Sequence, residues 1–365
     1  RLGNSLEIEK NLVLKKKKFI YLKEIFNKKK YKVIISSGFA HSSTITIYST
    51  FKYMFGRTIG HLMDLIGVSS FFMKIFNRPF NAGGKHSRIG TYASYPEKII
   101  GEKSIRYPTG MDLNLKLYPH ESLRKNFDIF LTHSLMETNL IKKKFDNKIC
   151  KNIGYPRYNH LNDKQEILKK LKKEFLLDEN KKIIYWTPTH IYHRSETSKN
   201  LIPWIDKVAE LNDKFNIIIR PHPKLLNYDK SIIKILKEKN FFIDLVSDRK
   251  IGDLFTVADL VFCDYGETPF SALFLERPLI LLNMDKNFHF TKELNINLSL
   301  DLKLRQDLIN FDTNIDISDF KKDISNALKL DYIQKTIRIK NLYFGNKKDY
   351  ISTKDISKFI LGLLN

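Results

Sequence analysis

The stretch ADLVFCDYGETPFSALFLERPLILLNMD, residues 258–285, decides the fold. It opens with an apolar run that ends in Asp264, Tyr265 and Gly266, and it closes with a second apolar run from Pro278 to Asp285. Uninterrupted rather than alternating apolar residues belong to strands covered on both faces. Between the two runs Thr268 is a capping residue and Pro269 suits a first helical position, whose N–H needs no partner, while Pro278 ends the segment. Strand, helix and strand in this order form a parallel unit.

The same rhythm runs outward in both directions. YKVIISS (31–37), FDIFLTHS (127–134), KKIIYWTPT (181–189) and FNIIIRPHP (215–223) are further strand-like runs, with helical stretches such as DKQEILKKLKKEF (163–175) and SIIKILKEK (231–239) between them. This alternation predicts an α/β protein with parallel sheets. A chain of 365 residues exceeds the size at which single cores stop growing, about 250–300 residues, so two domains are expected. In GYPRYNHLND (154–163) a Gly and a Pro break a strand before a charged helix, which sets the expected units at 1–155 and 156–345. The tail 346–365 is expected to form a helix that packs back on the body. Ser352 is its N-cap, Asp355 follows three residues on, and Ile356, Phe359, Ile360 and Leu363 recur at helical spacing.

A hydrophobic content of 42%, with 26 Phe and 17 Tyr, excludes a disordered chain. Lys and Arg number 63 against 40 Asp and Glu, a net charge of +23 that calls for an anionic partner: nucleic acid, an anionic membrane surface or a phosphorylated polymer. No zinc-finger spacing, recognition-helix signature or RNP-like stretch is present, which makes nucleic acid the least favoured of the three. Cys150 and Cys263 sit far apart in apolar stretches, as expected of buried thiols in a reducing, cytoplasmic compartment. The most apolar region, 44–76, is broken by Lys52, Arg57, His61, Asp64 and Lys74 and is too interrupted to span a bilayer. The chain opens at Arg1 rather than Met, which leaves room for an upstream piece.

In parallel sheets ligands bind beyond the carboxyl ends of the strands, and two of those ends are polar. In NIIIRPHPKLL (216–226), Pro221 and Pro223 fix their own φ and keep Arg220 and His222 out of helical geometry, so the cations stand on a stiff ledge. Two uses suit Arg220: a planar fork for a phosphate, or an ion pair with a carboxylate that serves packing. His222 is a donor or proton carrier beside it, or a loop cap, and Lys224 adds a further cation. At the other end, Gly266 lets the loop approach a ligand, and the free amides of the helix start suit a nucleotide diphosphate or an ordinary cap. There is no Asp-x-Asp motif, and His190 and His193, three apart, lack carboxylate partners. Neither a metal nor a cofactor is expected.

KKIIYWTPTH, IIIRPHP and the 251–285 segment IGDLFTVADLVFCDYGETPFSALFLERPLILLNMD, in that order and preceded by FDIFLTHS, KKKF and NIGYPRYNHL, resemble the CDP-glycerol glycerophosphotransferases, which build the polyol-phosphate backbone of teichoic acids. The likeness runs over residues 105–290. It implies a GT-B architecture of two Rossmann-like domains with parallel sheets facing a cleft, the donor nucleotide lying on the C-terminal one. It carries the essential His of the Arg-x-His-Pro motif onto His222, with Arg220 beside it. The donor-phosphate loop falls on Tyr265, Gly266 and Glu267, and the implied donor-binding set is completed by Thr187, Pro188, Thr189, Lys224, Asp264 and Thr268. Both serines of the family's Tyr-Ser-Ser loop are absent, and a carboxylate at Glu267 would repel a diphosphate unless it turned to a ribose hydroxyl. The family's Trp-His-Gly motif aligns with YPTGMDLNLK (107–116), where no His stands. Asp112 is then the nearest candidate base, or simply a turn cap.

The expected activity is a metal-independent transfer of a glycerol phosphate, another polyol phosphate or a sugar. The donor is nucleotide-activated (a CDP-polyol or nucleotide sugar), and the acceptor is a polysaccharide or lipid-linked acceptor of teichoic-acid type. The expected location is the cytoplasm, peripherally on the inner face of the plasma membrane. The alternative within the class is a GT-B nucleotide-sugar glycosyltransferase for capsule or lipopolysaccharide, with a sugar-nucleotide epimerase more remote. Beyond it stand an inactive relative and a non-enzymatic binder of anionic polymers or nucleic acid.

Overall fold

The computed structural model describes residues 31–36, 101–107, 111, 127–145, 147–159, 161–189, 200–222, 225–226, 230–247, 249–283, 299–346 and 349–364. Region 44–76, with much of the basic N-terminal part, lies outside them, as do the candidates Asp112 and Lys224.

Four parallel strands make a first sheet in sequential order: β1 (Tyr31–Ser36), β2 (Gly101–Arg106), β3 (Ile129–Thr132) and β4 (Ile149–Asn152). The strand β2 was not anticipated, because GEKSIR is too polar to stand out as a buried run. After β3 the chain enters α1 (Leu135–Lys144) through a reciprocal cap. Ser134 Oγ accepts the Glu137 N–H at 3.0 Å, and Glu137 Oε2 accepts the His133 N–H at 2.6 Å.

A 3₁₀ turn (Pro156–Tyr158) and α2 (Lys164–Phe175) lead into a second sheet. It contains β5 (Lys182–Thr187), β6 (Phe215–Ile219), β7 (Phe242–Ile243), β8 (Leu260–Cys263), β9 (Leu279–Leu282) and β10 (Asn310–Phe311). The intervening helices are α3 (Ile202–Ala209), α4 (Ser231–Glu238), α5 (Ile251–Val257), α6 (Thr268–Phe274) and α7 (Leu300–Asp307), and α8 (Ile317–Ala327), α9 (Leu330–Phe344) and α10 (Thr353–Gly362) follow. The order is β10-β9-β8-β5-β6-β7, parallel throughout. From β5 the chain builds outward through β6 and β7, then returns to lay β8, β9 and β10 on the other side. This is the doubly wound order, and its direction reverses between β5 and β8.

Side chains alternate across each strand, so both faces of the central strands need cover. On one face Ile184 and Trp186 of β5 pack with Trp204, Phe262 and Phe320; on the other, Ile183 and Tyr185 pack with Phe255, Val261 and Phe270. The second of these cores continues into the first half through Tyr155, Phe127 and Phe130. Behind β8, the helix α6 begins at Thr268 with Glu267 in the cap position, so Thr268 is helical rather than the cap expected of it. The cause is the helical backbone already adopted by Glu267 (φ −82°, ψ −20°).

The chain returns to the first sheet at its end. Asn152 Nδ2 donates to the carbonyls of Phe344 and Asp349, both at 3.3 Å, and its own carbonyl accepts the Ile351 N–H at 2.9 Å. Ser352 then caps α10 by accepting from Asp355 N. Ile356, with Phe359, Ile360 and Leu363, covers Ile105, Ile129, Leu131 and Ile153 of the first sheet.

Candidate functional site

The order β8-β5-β6 places three loops side by side at the carboxyl edge of the second sheet: Asp264–Glu267, Thr187–Thr189 and Arg220–His222. Register fixes their level, with Thr187 opposite Cys263 and Trp186 opposite Ile219. Asp264 joins the two strands that flank the reversal. Its Oδ2 accepts the Thr189 N–H at 2.8 Å and its Oδ1 the Tyr265 N–H at 2.6 Å. Burial pushes its carboxyl up to about 7, against the pull of those two N–H groups and of Arg305. Asp264 thus clamps the loop ends together. Thr187 and Pro188 are buried beside it.

Arg220 takes the second of its two uses. Its Nη1 donates to Asp244 Oδ2 at 3.1 Å and to the Arg249 carbonyl at 3.2 Å, and its Nη2 to the Val246 carbonyl at 3.2 Å. The reason is topological: β7 pairs with β6, Ile243 opposite Ile219, and carries the buried Asp244 to the guanidinium. A buried carboxylate needs charged partners, and Asp244 also accepts from Arg249 Nε at 3.0 Å. In this arrangement Arg220 ties Asp244, Val246 and Arg249 to the end of β6. His222 is half-buried two residues further on, and its carbonyl accepts the Leu225 N–H at 2.8 Å.

In the turn after β8, Tyr265, Gly266 and Glu267 each have neighbours within the protein. Gly266 has φ +89°, a left-handed backbone that favours glycine, and a Cβ there would meet nothing within 4 Å. Its N–H lies toward Asp301, and α6 is seven residues long. The Tyr265 ring is buried beneath the Arg305 guanidinium, 3.8 Å from the ring centroid. The Glu267 carboxylate faces Arg157, whose Nη2 lies 2.8 Å from its Oε1. Burial raises its carboxyl and Arg157 opposes the rise. Arg157 lies over the rings of Tyr155 and Tyr158, at 5.4 and 5.9 Å. The strand ends of the two sheets therefore meet across this ion pair.

Among the described residues no group of three or more His, Cys, Asp or Glu side chains converges as a metal site, and no helix is long and apolar enough to cross a membrane.

A doubly wound sheet joined through its carboxyl edge to a second parallel sheet is the GT-B arrangement. The family profile described as CDP-Glycerol:Poly(glycerophosphate) glycerophosphotransferase matches residues 57–299, and the chain belongs to this family. It is 26% identical over 164 residues to the teichoic acid glycerol-phosphate primase of Bacillus spizizenii, covering 44% of this chain and 41% of the relative. To the teichoic acid poly(glycerol phosphate) polymerase of the same organism it is 23% identical over 184 residues, 46% of each. The matched stretch spans less than half the length of these curated relatives. Among solved structures the fold is similar to the wall teichoic acid polymerase TagF soaked with CDPG, with a TM-score of 0.51 at 20% identity, over 72% of this chain and 66% of the other.

Proposed function

We propose that this chain transfers a polyol phosphate, with glycerol phosphate from CDP-glycerol as the first choice, onto a teichoic-acid-like acceptor. In this reading residues 156–345 form the donor unit, residues 1–155 the acceptor unit, and 346–365 the helix that ties them. The observation that carries it is the Arg157–Glu267 pair at the reversal point of a doubly wound sheet, in a member of this family. The pair answers the objection raised by Glu267. Its charge is met by Arg157, so a diphosphate approaching the turn faces a neutralised carboxylate and a partly exposed guanidinium.

In this reaction an acceptor oxygen forms a bond to the phosphorus that bears the glycerol. The pyrophosphate bridge breaks, CMP leaves with the electron pair, and the acceptor proton passes to a base. Asp112 is our candidate for that base. His222, in the loop after β6, meets the charge that develops on the leaving phosphate in this proposal. Arg220 acts one step back, by holding the ledge. The membrane-side location is part of the same proposal, with the net charge of +23 favouring an anionic surface.

The second reading, a nucleotide-sugar glycosyltransferase, is favoured by Gly266 and Glu267 standing where the family pattern has two serines. Incubation of purified protein with CDP-glycerol, CDP-ribitol and a panel of UDP- and GDP-sugars separates the two. CMP release from a CDP-polyol supports the first. UDP or GDP release alone replaces it with the second.

A further inference from the structure

Beside the loops already described lies a cluster of buried polar groups on α7. Asp301 and Arg305 stand four residues apart and therefore on one helix face, with Oδ1 and Nη2 3.7 Å apart. Ser299 caps the helix by accepting the Leu302 N–H at 3.2 Å, and Leu300 and Leu304 root it in the core. Arg305 then reaches the turn from below. Nη2 donates to the Asp264 carbonyl, Nη1 donates to Asn283 Oδ1 at the end of β9, and the guanidinium plane lies on Tyr265. The Gly266 N–H lies toward Asp301 and favours its charged form. Asn283 is itself fixed: its Nδ2 donates to Asn310 Oδ1 at 2.9 Å and Asp312 Oδ1 at 3.1 Å, and its carbonyl accepts Trp204 Nε1 at 2.8 Å. Asp264 and Tyr265 are thus held by Arg305, and the Gly266 N–H lies toward Asp301 on the same helix.

Such a grip has a geometric consequence. Gly266 needs no space for its conformation, so nothing steric selects φ +89° over other glycine backbones. The groups that bear on it are Asp301, toward its N–H, and Arg305, on the two residues before it. That conformation sets the direction in which Glu267 leaves the turn and meets Arg157.

We infer that Arg305 and Asp301 are positioning residues for the donor turn: they fix the backbone of Asp264–Gly266 so that the Glu267–Arg157 pair, and with it the phosphate side of the cleft, forms before the donor arrives. The inference rests on the donor reading above for its effect on catalysis, but the fixed turn is testable without it. A misplacement of about 1 Å at a reacting centre costs on the order of 100-fold in rate, which sets the scale expected.

The experiment compares wild type with Arg305→Met, Arg305→Lys and Asp301→Asn. Glycine-selective ¹⁵N labelling reads the Gly266 amide, and CDP-glycerol is the probe for binding and turnover. Expected are a shifted and more rapidly exchanging Gly266 amide in Arg305→Met and Asp301→Asn, with the other described glycines unchanged. Expected in parallel is a loss of about 10- to 100-fold in kcat/KM, borne mainly by the donor KM, with partial recovery in Arg305→Lys. An unaltered Gly266 amide in folded Arg305→Met and Asp301→Asn overturns the inference, as does wild-type kcat/KM in those variants. If wild type binds no CDP-glycerol, the donor reading fails, and the Gly266 amide alone then decides the positioning role. Should Arg305→Met not fold, Asp301→Asn, which removes one carboxylate charge and keeps the helix, carries the same amide readout.

Discussion

At the scale of single residues, Asp264 has the clearest consequence in solution. Its carboxyl lies at about 7 in the native protein, against about 3.9 in an unfolded chain. The native state therefore holds this proton more tightly. The stability it contributes is fully present below about pH 4 and is lost as pH rises through about 7. Asp301, raised by burial to about 6, acts in the same direction. Denaturant midpoints measured from pH 5 to pH 8 should fall in wild type, and fall less in Asp264→Asn whatever its absolute stability. Equal slopes would show that Asp264 titrates normally. Of the residues picked from sequence, those fixed by strand topology kept their places: Thr187, Thr189 and Asp264 meet because β5 and β8 are neighbours. Arg220 was legible as a cation with an ion pair among its two uses, but its partner was not, since Asp244 lies 24 residues on and the β6–β7 pairing brings it close. Arg305 and Asp301 gave one signal, their i,i+4 spacing. LDLKLRQD offers no strong apolar stripe, and nothing in it points to a turn that lies 41 residues before Arg305.

At the scale of elements, the second sheet is held by large apolar side chains on both faces, and its helices report on it separately. Trp204 on α3 is fully buried against Phe320, with ring centroids 5.9 Å apart, and its Nε1 bonds the Asn283 carbonyl. Trp204→Ala is expected to lose about 3–5 kcal/mol of stability, the range for deleting a large buried ring. Because Asn283 also anchors Arg305, the variant should weaken donor binding more than a core cavity elsewhere of equal cost. Chemical denaturation together with calorimetric titration of CDP-glycerol checks both. A loss below 1 kcal/mol would mean that the α3 packing is not as described. Continuous apolar runs revealed the buried strands from sequence, and the Ser352 cap revealed α10. The short edges β7 and β10, two residues each, carry too little pattern to be read, and β2 was too polar.

At the scale of the whole molecule, the described residues tie the two sheets through the Arg157–Glu267 pair, the shared core around Tyr155, and the return of the chain from Phe344 to α10. The first of these crosses the proposed cleft, and its side chains are only partly buried, 38% and 29% exposed. It is the tie best suited to respond to a ligand. The net charge of +23 belongs to this scale as well. On the proposed membrane-side location, the protein should co-sediment with vesicles containing anionic phospholipid at 50 mM salt and come off by about 500 mM, where the Debye length falls to about 4 Å. Binding that ignores salt, or equal binding to neutral vesicles, would count against that location.

The central claim, that the loops gathered at the β5–β8 reversal receive the pyrophosphate of an activated donor, is tested most directly by nucleotide release. Wild-type protein given CDP-glycerol and a glycerol-phosphate-primed acceptor should produce CMP. His222→Ala, with an unchanged melting profile, should lose about 10²- to 10⁴-fold of that rate. No nucleotide released from any donor in the panel, or release undiminished in folded His222→Ala, would contradict it.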